Sequence, residues 1–130
     1  MIFYRVENEH LQGPYCSNTN IMSYTVDTCH YDNDYDKYLS DHPTPSRDDL
    51  LKDMWYTKFP DGDYEDYVFG FESLDKLFQW FFLKEDIEFL TKYNFSVNIY
   101  TTDDCYHGDK QSIARKTSLR LVDSLSFKEA

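Results

Sequence analysis

Two cysteine–histidine pairs have a spacing that could support metal binding or nucleophilic catalysis. Cys105 lies two residues before His107, and Cys29 directly precedes His30, with Cys16 as a further thiol. Thiolates and imidazoles are zinc ligands, and a thiol beside a histidine can act as a nucleophile. Neither pair belongs to a Cys-x-x-Cys motif, which structural zinc sites usually show. The spacing therefore favours ordinary side chains, with no metal site and no catalytic residue.

Residues 32–36 begin like a calcium-binding loop, because Asp32, Asp34 and Asp36 occupy alternate positions. Carboxylates spaced in this way can converge on a hard cation. The rest of the loop does not match, since Lys37 stands where the glycine is needed and Pro43 where the bidentate glutamate is needed. A solvated acidic loop is the favoured interpretation.

The acidic residues are concentrated in residues 27–66, where twelve acids and four bases give −8 of the formal charge of −11. Clustered carboxylates can imitate the phosphates of a duplex and bind a basic groove, and they disfavour direct binding to nucleic acid or anionic lipid. The alternative is a solvated loop that only aids solubility. We predict an acidic insert here that binds a basic host protein, with these interaction residues: Asp32, Asp34, Asp36, Asp48, Asp49, Asp61, Asp63, Glu65, Asp66, Trp55 and Tyr56.

Length and composition predict one domain with its own core, since the chain has 130 residues, of which 41% are hydrophobic and 18% aromatic. The longest apolar run, residues 77–83, is interrupted by Gln79 and is too short to span a bilayer. The first five residues lack the pattern of a secretory signal, and three cysteines suit a reducing compartment. We therefore expect a cytoplasmic protein with three free thiols.

Sequence patterns predict the elements of the first half of the chain. Alternating apolar residues predict a strand over residues 2–7, and residues 22–26 suggest a second, short strand. Residues 31–45 are polar and end in two prolines, so we expect a surface loop. Ser46 can cap a helix that would end near Pro60.

The second half predicts two helices and further strands. Residues 67–71 suggest a buried strand, and a helix capped by Ser73 and a helix beginning after Lys84 follow. Asn94 is a good left-handed residue at the end of the second helix. Apolar residues at helical spacing predict a core containing Leu77, Phe78, Phe81 and Leu90. We then expect a strand from Phe95, a polar turn over 102–110, a strand over 111–116 and a last strand over 119–125. This order indicates a single α+β domain, mainly antiparallel, with two or three helices.

Several short stretches resemble a group of small uncharacterised proteins encoded by bacteriophages. They are residues 4–8 with Gly13-Pro14-Tyr15, then His42-Pro43-Thr44-Pro45, then Gly70-Phe71-Glu72-Ser73 leading into Leu77 and Trp80-Phe81, and finally Gly108-Asp109-Lys110-Gln111. The resemblance covers both ends of the chain and implies a phage accessory protein.

The order of these stretches is also similar to the minimal ADP-ribosyltransferase fold. That resemblance implies that Arg5 contacts a nicotinamide dinucleotide (NAD), that Phe71 and Ser73 lie at the strand–helix step beneath the nicotinamide, and that Gln111 opens a later strand. Gln111 lacks the carboxylate that would stabilise an oxocarbenium-like transition state. The alternative is structural, since Arg5 can pair with Glu7, Ser73 can cap its helix and Gln111 can simply begin a strand.

Two functions follow from these patterns. The first is a phage-encoded counter-defence or host-interaction protein that inhibits a host factor through its acidic surface and needs no cofactor. The alternative is an ADP-ribosyltransferase-like protein that binds, sequesters or transfers from NAD.

Overall fold

The computed structural model describes residues 1–15, 20–27, 30–44, 48, 51 and 66–127, and within them it contains six strands and four helices. The α+β prediction is confirmed. The strands are β1 (Ile2–Glu7), β2 (Tyr67–Gly70), β3 (Ser96–Thr101), β4 (Cys105–His107), β5 (Ser112–Arg115) and β6 (Arg120–Ser126). The helices are α1 (Ile21–Val26), α2 (Tyr35–Asp41), α3 (Leu74–Trp80) and α4 (Lys84–Lys92).

The strands form two antiparallel sheets of three, in the orders β1-β3-β6 and β2-β5-β4. The sheets meet where Tyr4 of β1 bridges Phe71, the residue after β2. Gly70 makes this approach possible, because a Cβ there would lie 2.5 Å from the Phe3 ring and 2.6 Å from the carbonyl oxygen of Tyr4. The junction brings the start of the chain beside the strand that leads into α3.

The main hydrophobic core lies between the β1-β3-β6 sheet and helices α3 and α4. Leu77, Phe81 and Leu90 are buried in it, as the sequence predicts, whereas Phe78 is only partly buried at its edge. The side chain of Ser73 accepts a hydrogen bond from the backbone N–H of Lys76 at 3.2 Å, so the predicted start of α3 is confirmed. Asn94 has a φ of 61° after α4, which confirms the left-handed residue.

Residues 22–26 form part of α1, so the prediction of a strand there is wrong. The side chain of Asn20 caps this helix by accepting a hydrogen bond from the N–H of Met22 at 2.8 Å. Ile21, Thr25 and Val26 are buried, which is a helical spacing. The hydroxyl of Thr25 donates to Asp86 of α4 at 2.7 Å, and this contact between helices is invisible in a local pattern.

Two polar stretches predicted as irregular also contain regular structure. Residues 31–45 include α2, where Asp34 accepts a hydrogen bond from the N–H of Lys37 at 3.0 Å and Tyr38 is buried. Residues 102–110 include β4, which pairs with β5. Burial of Tyr38 in α2 and the pairing of β4 with β5 outweigh the polar composition of these two stretches. The helix predicted after Ser46 lies outside the described residues, apart from two single positions.

Candidate functional site

The resemblance-derived residues lie around the junction of the two sheets, because β1, β2 and β5 are neighbours there. Arg5 is on β1, Phe71 follows β2, and Gln111 precedes β5, whose first residue, Ser112, pairs with Gly70. The fold therefore brings three distant parts of the sequence to one place.

Arg5 is buried and already engaged by protein groups. Its Nε donates to Glu7 at 2.9 Å and its Nη1 donates to the carbonyl oxygen of Phe69 at 2.7 Å. The guanidinium also lies 5.7 Å from the centre of the Phe69 ring. Asn98 donates to the same Glu7 carboxylate at 2.9 Å. The hydroxyl of Tyr100 also donates to this carboxylate, and the pKa of Tyr100 is raised to about 12, mainly by burial. Arg5 therefore belongs to a buried polar network and presents little surface to a ligand.

Phe71 and Ser73 have structural surroundings. Phe71 is fully buried in the main core, and Ser73 caps α3. Gln111 is buried too, and its side-chain amide donates to the carbonyl oxygen of Pro43. Of these three residues, Gln111 borders a cavity.

That cavity, here called the aromatic pocket, has a volume of about 320 Å³ and opens beside α2. Its wall includes five aromatic rings, those of Tyr15, Tyr38, His42, Phe69 and Trp80. The indole N–H of Trp80 donates to the Tyr15 hydroxyl at 3.0 Å, and this hydroxyl lies 2.7 Å from that of Tyr38. The wall is therefore apolar, with its polar groups tied to each other.

The aromatic pocket carries no charge near neutral pH. Burial raises the pKa of Tyr15 and of Tyr38 above the ordinary phenol value, so both stay protonated. Burial lowers the pKa of His42, so its ring is neutral near pH 7. The ring nitrogens lie 2.6 Å from the carbonyl oxygen of Trp80 and 3.1 Å from that of Tyr38, and the single N–H of the neutral ring donates to one of the two. A neutral cavity walled by aromatic faces suits a flat aromatic ligand, including one with a cationic ring.

A second hollow, of about 300 Å³, shares Trp80 with the aromatic pocket and is lined by Asp41, Lys76 and Lys110. Lys76 forms an ion pair with Glu72. The ammonium group of Lys110 lies 3.4 Å from the carbonyl oxygens of Ser40 and Asp41. This hollow therefore places two cations near the aromatic pocket.

Sequence reasoning missed the rings of the aromatic pocket. Tyr15, His42 and Trp80 appear in the stretches that resemble phage proteins, but no local pattern assigns them to one wall. The available signal was the pair Tyr38 and His42, four residues apart and therefore on one helix face, whose rings stack at 4.3 Å.

The predicted acidic surface is only partly described. Asp32, Asp34, Asp36 and Asp66 are exposed, as expected for surface acids. Asp48 is buried, so its assignment to the exposed surface is wrong. The remaining predicted interaction residues lie outside the described part of the chain: Asp49, Trp55, Tyr56, Asp61, Asp63 and Glu65.

Asp48 is buried because its carboxylate holds the loop between β4 and β5. It accepts hydrogen bonds from the backbone N–H groups of Asp109 at 2.6 Å, Lys110 at 3.0 Å and Gln111 at 3.4 Å. Successive N–H groups that converge on one anion are a recurrent stabilising arrangement. Asp48 thereby fixes the backbone that carries Gln111 into the wall of the aromatic pocket.

No cluster of three or more His, Cys, Asp or Glu side chains suited to a metal occurs among the described residues. No described helix is both long and apolar enough to cross a membrane. Cys105, the one cysteine in the described part of the chain, is a free thiol.

Comparison with known proteins gives one match. No curated protein and no solved structure matches significantly. The family model of the bacteriophage T4 Y00F protein matches residues 1–128. Since this match covers nearly the whole chain, the chain belongs to the bacteriophage T4 Y00F protein family.

Proposed function

We propose that this phage-family protein binds the flat nicotinamide ring of a nicotinamide dinucleotide in the aromatic pocket and sequesters it without catalysing transfer. The observation that supports this most is the pocket itself, a cavity of about 320 Å³ walled by aromatic rings and bordered by Gln111. Ligand pockets are commonly apolar with a few placed polar groups. The volume suits one ring system, so the rest of the dinucleotide would lie outside.

The position of the pocket supports a dinucleotide over other aromatic ligands. Of the residues implied by the ADP-ribosyltransferase resemblance, Gln111 lines the pocket, and Arg5 is one step removed from it, because it donates to the carbonyl oxygen of Phe69, which also lines the pocket. The hollow that shares Trp80 has Lys76 and Lys110 in its wall, which could contact phosphates.

Sequestration is preferred to transfer because the pocket edge carries an amide where a transferase needs a carboxylate. The amide of Gln111 donates to Pro43 and bears no negative charge to stabilise an oxocarbenium-like transition state. The buried carboxylate of Glu7 is neutralised by Arg5 and hydrogen-bonded on both oxygens. The arrangement therefore favours binding alone.

Calorimetric titration with NAD, nicotinamide mononucleotide and adenosine tests the proposal. Leu39 is 40% exposed and lines the pocket mouth, so Leu39→Trp should block entry with little effect on folding. Leu121, 57% exposed on β6, gives a matched control in Leu121→Trp. We expect the control to bind the nicotinamide ligands like the unaltered protein and Leu39→Trp to bind at least tenfold more weakly.

Three results would contradict this function. The first is the absence of binding heat when millimolar ligand is titrated into folded protein, and the second is equal binding by both tryptophan variants. The third is a host protein that becomes ADP-ribosylated when lysate is incubated with labelled NAD and this protein, since that would show transfer.

A second candidate function is inhibition of a host protein through the acidic residues around the start of α2. Asp32, Asp34 and Asp36 are exposed there, and Tyr35 is an exposed aromatic residue between them. Carboxylates steer association with a basic groove, and an exposed aromatic ring can anchor it. This candidate needs no small molecule.

Its test combines affinity capture from host lysate with association kinetics on the captured partner. The triple change of Asp32, Asp34 and Asp36 to Asn keeps a capping side chain at position 34 and removes three charges. A matched triple change alters exposed acids elsewhere: Asp75→Asn, Glu88→Gln and Asp123→Asn. We expect the first variant alone to lose most of the salt-sensitive association rate. Equal rates for both variants would place the interface elsewhere.

A further inference from the structure

The outer edge of β4 carries three soft donor atoms close together. Cys105 and His107 are two residues apart on one strand, so their side chains share a face. The Sγ atom of Cys105 lies 3.9 Å from Nε2 of His107 and 3.7 Å from Sδ of Met1. Met1 is held beside the strand because its ammonium donates to the carbonyl of Thr102 and its carbonyl accepts from the N–H of Thr102, both at 2.9 Å.

The imidazole of His107 is oriented as in a metal-binding histidine. Its Nδ1 lies 2.7 Å from the hydroxyl of Ser112 and 4.0 Å from the carboxylate of Glu72. Nδ1 therefore faces these two groups, and Nε2 is the ring nitrogen that faces Cys105. Metal-binding histidines typically have their second ring nitrogen held by such a partner.

The two separations that involve Cys105 match those of ligands around one ion. With bonds of about 2.3 Å to sulfur and about 2.0 Å to nitrogen, planar three-fold coordination places two sulfurs about 4.0 Å apart and sulfur and nitrogen about 3.7 Å apart. The observed separations are 3.7 Å between the sulfurs of Cys105 and Met1 and 3.9 Å between the Cys105 sulfur and Nε2 of His107. Cys105 is therefore placed to share an ion with each of the other two side chains.

We propose that Met1, Cys105 and His107 form a surface site for one Cu(I) ion. Thiolate and thioether ligands select Cu(I), and a thioether is a poor ligand for zinc. No fourth His, Cys, Asp or Glu side chain completes a zinc-type cluster among the described residues. Binding forms a bond between copper and the Cys105 sulfur and releases the thiol proton to solvent, with no change of oxidation state.

Anaerobic titration with Cu(I) against a chromophoric Cu(I) chelator tests this site. We expect one high-affinity ion per chain, one proton released, and a sulfur-to-copper absorption band in the ultraviolet. Cys105→Ser should weaken binding at least 100-fold. Ser112→Ala should weaken it about tenfold, since outer partners of a ligand usually contribute 10–100-fold. Met1→Leu, produced behind a removable leader, removes one of the three proposed ligands and should weaken binding by at least as much.

Two control variants keep the result specific. His10→Ala removes an exposed histidine far along the sequence, and a double Cys16→Ser and Cys29→Ser change removes the other thiols. Both should bind Cu(I) like the unaltered protein. Unchanged affinity in Cys105→Ser, loss of the high-affinity site in the double cysteine variant, or an X-ray absorption spectrum without two copper–sulfur bonds would overturn the proposal. Circular dichroism checks that each variant is folded.

Discussion

The backbones of Tyr4 and Phe71 form two reciprocal hydrogen bonds, each 2.8 Å long, which join the two sheets at a single point. This bridge aligns β1 with the end of β2. Arg5, the next residue after Tyr4, consequently reaches the carbonyl oxygen of Phe69, and Phe69 lines the aromatic pocket. The pocket therefore depends on the junction between sheets more than on either sheet alone.

Replacing Gly70 by Ala should disrupt this junction. The new methyl group would meet the carbonyl oxygen of Tyr4 at 2.6 Å, and backbone can give way less easily than a side chain. We expect a loss of about 1–3 kcal/mol in the free energy of unfolding, the usual cost of overpacking, measured by urea denaturation. Gly13→Ala is the comparison, because its methyl group meets the end of the Arg5 side chain, not backbone, at the longer distance of 3.2 Å. An equal loss in both variants would contradict the role of the junction.

Asp48 should matter more for stability than a surface acid. Replacing it by Ala leaves three backbone N–H groups of the β4–β5 loop without their carboxylate partner. We expect a loss of about 2–4 kcal/mol, since each buried unpaired group costs about 1–3 kcal/mol and some will be rehydrated. Thermal unfolding measures the effect. A loss below about 0.5 kcal/mol would mean that Asp48 is exposed in solution, as the sequence suggested.

Asp34 and Asp36 are both exposed, yet their replacement by Ala should lower the free energy of unfolding by different amounts. Asp34 caps α2 through the N–H of Lys37, whereas Asp36 lies within the first turn and only interacts favourably with the helix dipole. We expect a loss of about 1 kcal/mol for Asp34→Ala and less than about 0.5 kcal/mol for Asp36→Ala. Chemical denaturation of both variants checks the difference, and the reverse order would show that α2 begins elsewhere.

Asp86 should make stability fall as pH rises from about 4 to about 6. Burial raises its pKa from 3.8 to about 6, so across this range the folded protein holds a proton that the unfolded chain has released. The integrated effect is up to about 3 kcal/mol. Asp86→Asn should remove it, whereas Asn at exposed Asp75 should not.

His42 acts in the opposite direction. Its pKa lies below 6.5, so as pH falls from 6.5 to that lower value the unfolded chain takes up a proton before the folded protein does, and stability is lost. In the Asp86→Asn variant, stability should therefore rise with pH towards 6.5. Denaturation curves at a series of pH values measure both slopes. A flat profile in the unaltered protein and in Asp86→Asn would contradict both assignments.

The sequence by itself determined the α+β class, β1, the helices α3 and α4, the last strand and much of the core. These features have strong local signals: alternation in β1, the Ser73 cap, and the helical spacing of Leu77, Phe81 and Leu90. The resemblance of short stretches to phage proteins was likewise visible in the sequence, and the match to the family model confirms it.

Only the tertiary structure decided the site. Tyr15, Tyr38, Phe69 and Trp80 are far apart in the sequence and share one cavity because the sheets meet at Gly70. Asp48 looks like one surface acid among many, but three backbone N–H groups more than sixty residues later bury it. Local patterns report which face of an element is apolar; they carry no information on which distant partner will satisfy a polar group, and burial energies depend on that partner.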